Sequence, residues 1–127
     1  MTENEISKIV VNCAFKVHKE LGPGLMESVY QKCLTYELIK SGLNIETEKT
    51  MAVNYYDVVL DSGYRLDIWI DKKVIIELKA VEYLNEVHLA QILTYLKLTD
   101  NKLGLLINFN VAKIKNGIKR VVNGVIE

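Results

Sequence analysis

The spacing of apolar residues changes near residue 42 of this chain, and the change limits the folds open to it. Before that point apolar residues recur every three or four positions, as in amphipathic helices. After it, β-branched and aromatic residues alternate loosely with polar ones, as in strands. A chain of 127 residues has the size of one domain, so both kinds of segment must share a core. The pattern predicts a mixed α/β fold.

Two helices are predicted in the first part. Thr2 and Glu5 have the spacing of a capping box, which indicates a helix from about residue 4 to 20. Gly22-Pro23-Gly24 holds the only proline of the chain and ends this helix. A second helix is expected from near Leu25 to a cap at Ser41-Gly42, and the short connection predicts an antiparallel hairpin.

Turn signals divide the remainder into three strands, a helix and two strands. Asp61-Ser62-Gly63 predicts a hairpin turn, and Asp71-Lys72 predicts a tight one. Asn85 can cap the helix, which is expected to run to about Leu98. The predicted strands are Ile45–Leu60, Tyr64–Ile70, Lys73–Ala80, Leu103–Phe109 and, after Asn116-Gly117, Ile118–Val122. The order ααβββαββ is that of a mixed sheet flanked by helices.

Strand periodicity brings acidic and basic side chains together. In Lys73–Ala80 the odd positions place Glu77 and Lys79 on one face. If this strand pairs with its predecessor through the Asp71-Lys72 turn, Asp67 lies near Glu77. In that predecessor we expect Arg65, Asp67, Trp69 and Asp71 on one face, opposite Tyr64, Leu66, Ile68 and Ile70.

Two interpretations of this trio are open. Two carboxylates a few ångströms apart suit a hard cation such as Mg²⁺ or Mn²⁺. The alternative is a cross-strand salt bridge on a solvated face. The apolar neighbours of Glu77 favour a metal or a pocket, because buried charges without partners are costly.

Polar residues on two helices extend the candidate site. His88, Gln91 and Tyr95 form a stripe on the third helix, which is either a site wall or a hydrated outer face. Glu27 shares a face of the second helix with Tyr30 and Gln31, although a first-turn acid is also favoured by the helix dipole.

The remaining features carry weaker expectations. Cys13 and Cys33 are expected to be buried thiols, with a disulfide or a metal pair as alternatives. His18 is expected to face solvent. The one basic cluster could contact a phosphate backbone or form a solvated rim, and it comprises Lys113, Lys115, Lys119 and Arg120.

The charge balance limits the kinds of partner. Sixteen basic and sixteen acidic residues give a net charge of zero, which argues against coating nucleic acid by bulk charge but leaves room for a local phosphate site. No apolar run is long enough for a membrane span, and the acidic N-terminus lacks the layout of a signal peptide. A cytoplasmic location is expected.

Several motifs resemble the GxxExxY protein family, which is placed in the PD-(D/E)xK nuclease superfamily. The G-x-x-E-x-x-Y spacing stands at Gly24–Tyr30, and the similar segments that follow are Val87–Thr99, Gly104–Val111 and Gly117–Arg120. The resemblance covers nearly the whole chain. It implies a restriction-endonuclease-like core formed by residues 1–127 as a single nuclease-like domain.

The resemblance also implies roles for individual residues. Asp67 matches the metal-binding aspartate, Glu77-Leu78-Lys79 the (D/E)xK triplet, and Glu27 the extra acid of an N-terminal helix. Gln91 and Tyr95 match the Q-x-x-x-Y motif of RecB-like nucleases. The implied metal ligands are Asp67, Glu77, Glu27 and the carbonyl of Leu78, with Mg²⁺ or Mn²⁺ as the cofactor. Leu66 departs from the pattern, because it replaces the proline that usually precedes the aspartate.

The leading hypothesis is therefore a metal-dependent nuclease that hydrolyses phosphodiester bonds in DNA. One alternative is a catalytically inactive nuclease-fold module that binds nucleic acid or a protein partner. Another is a structural oligomer whose polar cluster is only an ion-pair network. A minimal nuclease could also form a homodimer that contacts both strands.

Overall fold

The computed structural model describes residues 1–126, and its elements follow the predicted order. The helices are α1 (Glu3–Leu21), α2 (Glu27–Lys40) and α3 (Glu86–Thr99), and a 3-10 helix spans Ile114–Asn116. The strands are β1 (Ile45–Tyr55), β2 (Val58–Ile70), β3 (Val74–Lys79), β4 (Leu103–Asn108) and β5 (Ile118–Val122).

The five strands form one mixed sheet in the order β1-β2-β3-β4-β5. All neighbours are antiparallel except β3 and β4, which are parallel and are joined through α3. Helices α1 and α2 cover one face through a core that includes Val10, Leu34 and Ile76. Helix α3 covers the other through Ile92 and Leu96 among others. The expected α/β architecture, a mixed sheet flanked by helices, is confirmed.

Local signals place the helices as predicted. The capping box of Thr2 and Glu5 is present, and Asn85 caps α3 together with His88. His88 is thus part of a helix cap. Helices α1 and α2 are antiparallel, because Cys13 lies beside Ser41 while Lys16, one turn later, lies 3.9 Å from Glu37.

The first hairpin differs from its prediction, because Asp61-Ser62-Gly63 is not the turn. The chain reverses at Tyr56-Asp57, where Tyr56 has a φ of 51°. Residues 61–63 lie inside β2, where the register slips between the pairs Met51–Tyr64 and Val53–Leu60. A Cβ on Gly63 would stand 2.7 Å from the Val53 Cβ. The glycine therefore marks a bulge with close strand approach.

The expected alternation of β2 is also wrong on one side of Asp67. Ile68 and Ile70 face α1 and α2 as expected, but Leu66 packs in the α3 core. The break coincides with an unpaired position in the β1–β2 ladder, where Glu48 lies opposite Asp67 with a φ of 49°. A left-handed residue in one strand distorts the pleat of both strands.

Two further expectations are tested by burial. His18 does not face solvent: it is 9% exposed, and its Nε2 lies 2.8 Å from the carbonyl oxygen of Val111. Cys13 and Cys33 are free thiols, the first buried and the second half-buried. Of the helices within residues 1–126, none is long and apolar enough to cross a bilayer.

Candidate active site

The candidate site lies where β2 and β3 separate. Their ladder is paired from Ile70–Val74 to Ile68–Ile76, and continuing this register by one residue places Asp67 opposite Glu77. At this position the two carboxylates accept backbone N–H groups that would otherwise bond to carbonyls of the neighbouring strand. The Asp67 N–H donates to Glu77 Oε2 at 2.9 Å, and the Leu78 N–H donates to Asp67 Oδ2 at 2.9 Å. The expected proximity of Asp67 to Glu77 is confirmed.

Burial makes this acid pair electrostatically costly. Glu77 is 4% exposed, and its burial, followed by the charge of Asp67, raises its pKa from 4.5 to about 8. The pKa of Asp67 is raised as well, chiefly by burial. The backbone hydrogen bonds and Lys79 act in the opposite direction on both groups. The backbone N–H groups and Lys79 therefore do not fully compensate the negative charge of the two ionised carboxyl groups.

Lys79 is the cation whose charge acts most strongly on the two carboxyl groups. It shares the α3-facing side of β3 with Ile75 and Glu77, as strand alternation predicts. Its ammonium lowers the pKa of both carboxyl groups, and it remains half-buried at the end of the strand.

The end of β3 is held by a residue that the sequence analysis did not single out. The Asn108 side chain is 2% exposed, and its amide pairs with the backbone of Val81. Its Oδ1 accepts from the Val81 N–H at 3.1 Å, and its Nδ2 donates to the Val81 carbonyl at 2.9 Å. These bonds fix the chain two residues after Lys79. A polar residue at the end of the apolar run Leu103–Phe109 was the available signal.

Helix α3 contributes a tyrosine to the site. Tyr95 stacks on Tyr64 of β2 with ring centroids 4.9 Å apart. Burial raises the pKa of the Tyr95 hydroxyl, and the charges of Glu77 and Asp67 add to the effect, so the hydroxyl is within electrostatic reach of the acid pair. Gln91, one turn earlier, is exposed and has no hydrogen bond to either carboxylate within residues 1–126.

Glu27 begins α2 on another side of the site. Its charge contributes to the raised pKa of Glu77, so the two acids are within electrostatic reach. However, no group of three or more His, Cys, Asp or Glu side chains among residues 1–126 is arranged to hold a metal ion. The structure brings Asp67 and Glu77 together, and leaves Glu27 outside their immediate cluster.

Tyr30 explains the spacing of the G-x-x-E-x-x-Y motif. Its hydroxyl donates to the Gly22 carbonyl at 2.6 Å and accepts from the Leu25 N–H at 3.0 Å. Its ring stacks on Phe109 at 4.6 Å, and the Phe109 N–H donates to the Lys79 carbonyl. One buried tyrosine thus ties the turn before Glu27 to the strand that carries Lys79.

Two further charged residues act on Asp67, and one of them, Glu48, was missed by the sequence analysis. Glu48 raises the pKa of Asp67, whereas Arg65 lowers it. Glu48 stands directly across the ladder from Asp67 in a left-handed conformation. Neither the position of Glu48 opposite Asp67 nor its left-handed backbone could be predicted from a polar, loosely alternating stretch of sequence.

The donor set fits a hard divalent cation. Each carboxylate uses one oxygen for a backbone N–H, which leaves Asp67 Oδ1 and Glu77 Oε1 without hydrogen bonds among the described residues. Oxygen donors with uncompensated negative charge are what Mg²⁺ and Mn²⁺ prefer. The Leu78 side chain is in the core, and its N–H donates to Asp67. A role for the Leu78 carbonyl as a metal ligand remains a prediction.

A family described as the PD-(D/E)XK nuclease superfamily matches residues 4–121, which is nearly the whole chain. A search of curated proteins finds no relative that matches.

Proposed function

This chain belongs to the PD-(D/E)XK nuclease superfamily, and from that premise we propose that it hydrolyses phosphodiester bonds in DNA with the help of a divalent cation. Nucleases of this superfamily are generally metal-dependent. The observation that carries the proposal is the buried Glu77 carboxylate beside the half-buried Asp67 carboxylate, since no cation among residues 1–126 fully offsets the charge of the two ionised groups.

Asp67 and Glu77 would hold the cation, Mg²⁺ or Mn²⁺, with the Leu78 carbonyl as a further ligand. Glu27 would position it through water or help to bind a second one. When bound, the cation supplies neutralising charge and a Lewis acid for the phosphodiester. The backbone hydrogen bonds of the two carboxylates keep them oriented before binding.

Lys79 has the central catalytic role in this proposal. Its ammonium orients the attacking water and stabilises the negative charge that develops on the phosphate in the transition state. Tyr95, within electrostatic reach of the acid pair, positions Lys79 or the scissile phosphate in this proposal. Gln91 is exposed one turn away, where it can reach the substrate. The roles of Gln91 and Tyr95 follow the Q-x-x-x-Y pattern, and membership of the GxxExxY family is part of the same proposal, as is a cytoplasmic location.

The test is DNA cleavage by the wild type and by Lys79→Ala, with Mg²⁺, Mn²⁺ or chelator. The variant should lose at least about 100-fold in rate, because it lacks a charge that acts in the transition state. Lys73→Ala is the matched control. Lys73 lies in the turn before β3, at the other end of the strand from Lys79, and donates to the Met1 carbonyl.

Three outcomes distinguish the hypotheses. Metal-dependent cleavage that Lys79→Ala alone abolishes supports the proposal. Cleavage that persists in Lys79→Ala contradicts it and indicates a contaminant or another site. Binding of nucleic acid without cleavage, and without Mn²⁺ uptake in calorimetry, favours the inactive module.

A further inference from the structure

A basic groove lies between the end of α1 and the segment that follows β4. It has a volume of about 470 Å³, and four of the seven residues around it are lysines. The lining residues are Phe15, Lys16, His18, Lys19, Lys113, Ile114 and Lys115, and none of these is acidic. In a protein with no net charge, this is a strong local excess of positive charge.

Only two of the four residues in the basic cluster predicted from the sequence line this groove. Arg120 donates to the Asn4 side chain at 2.6 Å, and Lys119 borders a different cleft beside Glu82. Only Lys113 and Lys115 line the groove, where they meet two lysines of α1. The nearest salt bridge, from Lys16 to Glu37, is 3.9 Å long and 67% exposed at the lysine, so it offsets little of this charge.

Buried neighbours hold the lysines in place. Ile114, which separates Lys113 from Lys115, is 3% exposed and belongs to the core. On the opposite wall, His18 bonds to the Val111 carbonyl and so fixes the segment against α1. The four lysine side chains therefore flank a largely apolar groove on two anchored walls.

The groove and the candidate active site lie at the same edge of the sheet. Strands β3 and β4 are parallel, so both end at this edge. Phe109 donates to the Lys79 carbonyl, and Val111, two residues later, is already bonded to His18 in the groove wall. The groove is on the α1 side of this edge, whereas Glu77 and Lys79 face α3, so a strand that occupied the site would pass around the edge of the sheet to enter the groove.

We propose that this groove binds the phosphodiester backbone of a single-stranded segment of the nucleic acid, an inference that rests on the proposed function. The lysines match the charge of successive phosphates. Phe15, which is 45% exposed beside them, provides a ring on which a base stacks. Grooves that combine basic side chains with an aromatic platform are the usual way in which proteins hold single strands.

The test is fluorescence anisotropy of a labelled single-stranded oligonucleotide with chelator present, so that binding is measured without cleavage. Each single-strand phosphate contact contributes about 0.7 to the slope of log Kd against log salt, or about fivefold in Kd at about 0.1 M salt. The double variant Lys113→Gln/Lys115→Gln should therefore bind about 25-fold more weakly with a slope smaller by about 1.4. Phe15→Ala should weaken single-strand binding about tenfold and duplex binding much less.

Lys97→Gln/Lys102→Gln is the matched control, because it makes the same charge change at exposed positions near the other edge of the sheet. If this control and the groove variant bind equally, the groove proposal is overturned. Competition by inorganic phosphate as effective as that by the oligonucleotide would also overturn it, because the site would then hold a small anion. Groove-dependent binding of anionic vesicles without nucleic-acid binding would do the same.

These results separate the two proposals. A wild type that cleaves DNA while the groove variant keeps its affinity refutes the groove and leaves the nuclease. A wild type that never cleaves, but loses affinity on substitution of the groove lysines, refutes the nuclease and supports the groove.

Discussion

Glu77→Gln should change how the stability of the metal-free protein depends on pH. The substitution keeps the shape of the side chain and an oxygen that can accept from the Asp67 N–H, but it removes the carboxylate charge. In the folded wild type, burial and Asp67 raise the pKa of Glu77 from 4.5 to about 8. Between about pH 4.5 and 8, Glu77 therefore holds a proton in the folded protein that it has released in the unfolded chain.

The sign and size of the effect follow from this difference. Between about pH 4.5 and 8 the folded state binds more protons than the unfolded state, so the free energy of unfolding falls as pH rises. One pKa unit corresponds to about 1.4 kcal/mol, so the full loss is about 3 to 5 kcal/mol at and above pH 8. The glutamine side chain of the variant does not titrate, so Glu77→Gln lacks this loss.

The assay is urea unfolding with chelator at a series of pH values from 4.5 to 8. The difference in unfolding free energy between Glu77→Gln and the wild type should grow in favour of the variant by about 3 to 5 kcal/mol across the series. Glu82→Gln, at an exposed position, reports the effect of removing an acid at the surface. A difference that stays constant with pH would refute the reasoning, because Glu77 would then ionise in the folded protein without cost.

Two further predictions concern packing around the site. Tyr30→Phe should lower the free energy of unfolding by about 1 to 2 kcal/mol, because it leaves the Gly22 carbonyl and the Leu25 N–H without their partner; equal urea midpoints for this variant and the exposed Tyr36→Phe would contradict it. Gly104→Ala should cost about 1 to 3 kcal/mol, since a Cβ there would stand 2.8 Å from Ile92 Cδ1 of α3. The additional change Ile92→Val should recover part of this cost in the same unfolding assay, and strictly additive losses would count against the contact.

Local patterns predicted much of the fold and the acid pair. The Asp71-Lys72 turn, whose two residues both have positive φ, sets the β2–β3 register, and alternation along β3 then puts Glu77 and Lys79 on one face. These features depend on residues close in sequence, so they can be predicted without knowledge of the tertiary contacts. Capping at Thr2 and Asn85 is equally local.

The features that were missed depend on contacts between distant segments. Gly63 looks like a turn residue, but its role is set by Val53 on the other strand. His18 has lysines on both sides along α1, yet the Val111 carbonyl, 93 residues away, provides its partner. The basic groove likewise joins lysines from opposite ends of the chain. No window of sequence contains both halves of such an arrangement.

The hydrogen bonds of Asp67 and Glu77 give the two acids a structural role that is independent of any reaction. Each closes the gap between β2 and β3 by accepting a backbone N–H, so loss of either would leave a buried donor orphaned. A relative that lacked the proposed activity would still need an accepting side chain, acid or amide, at both positions. Lys79 has no such bond among residues 1–126 and would be free to drift. If the proposed function is correct, the lysine is therefore a better marker of activity among relatives than either acid.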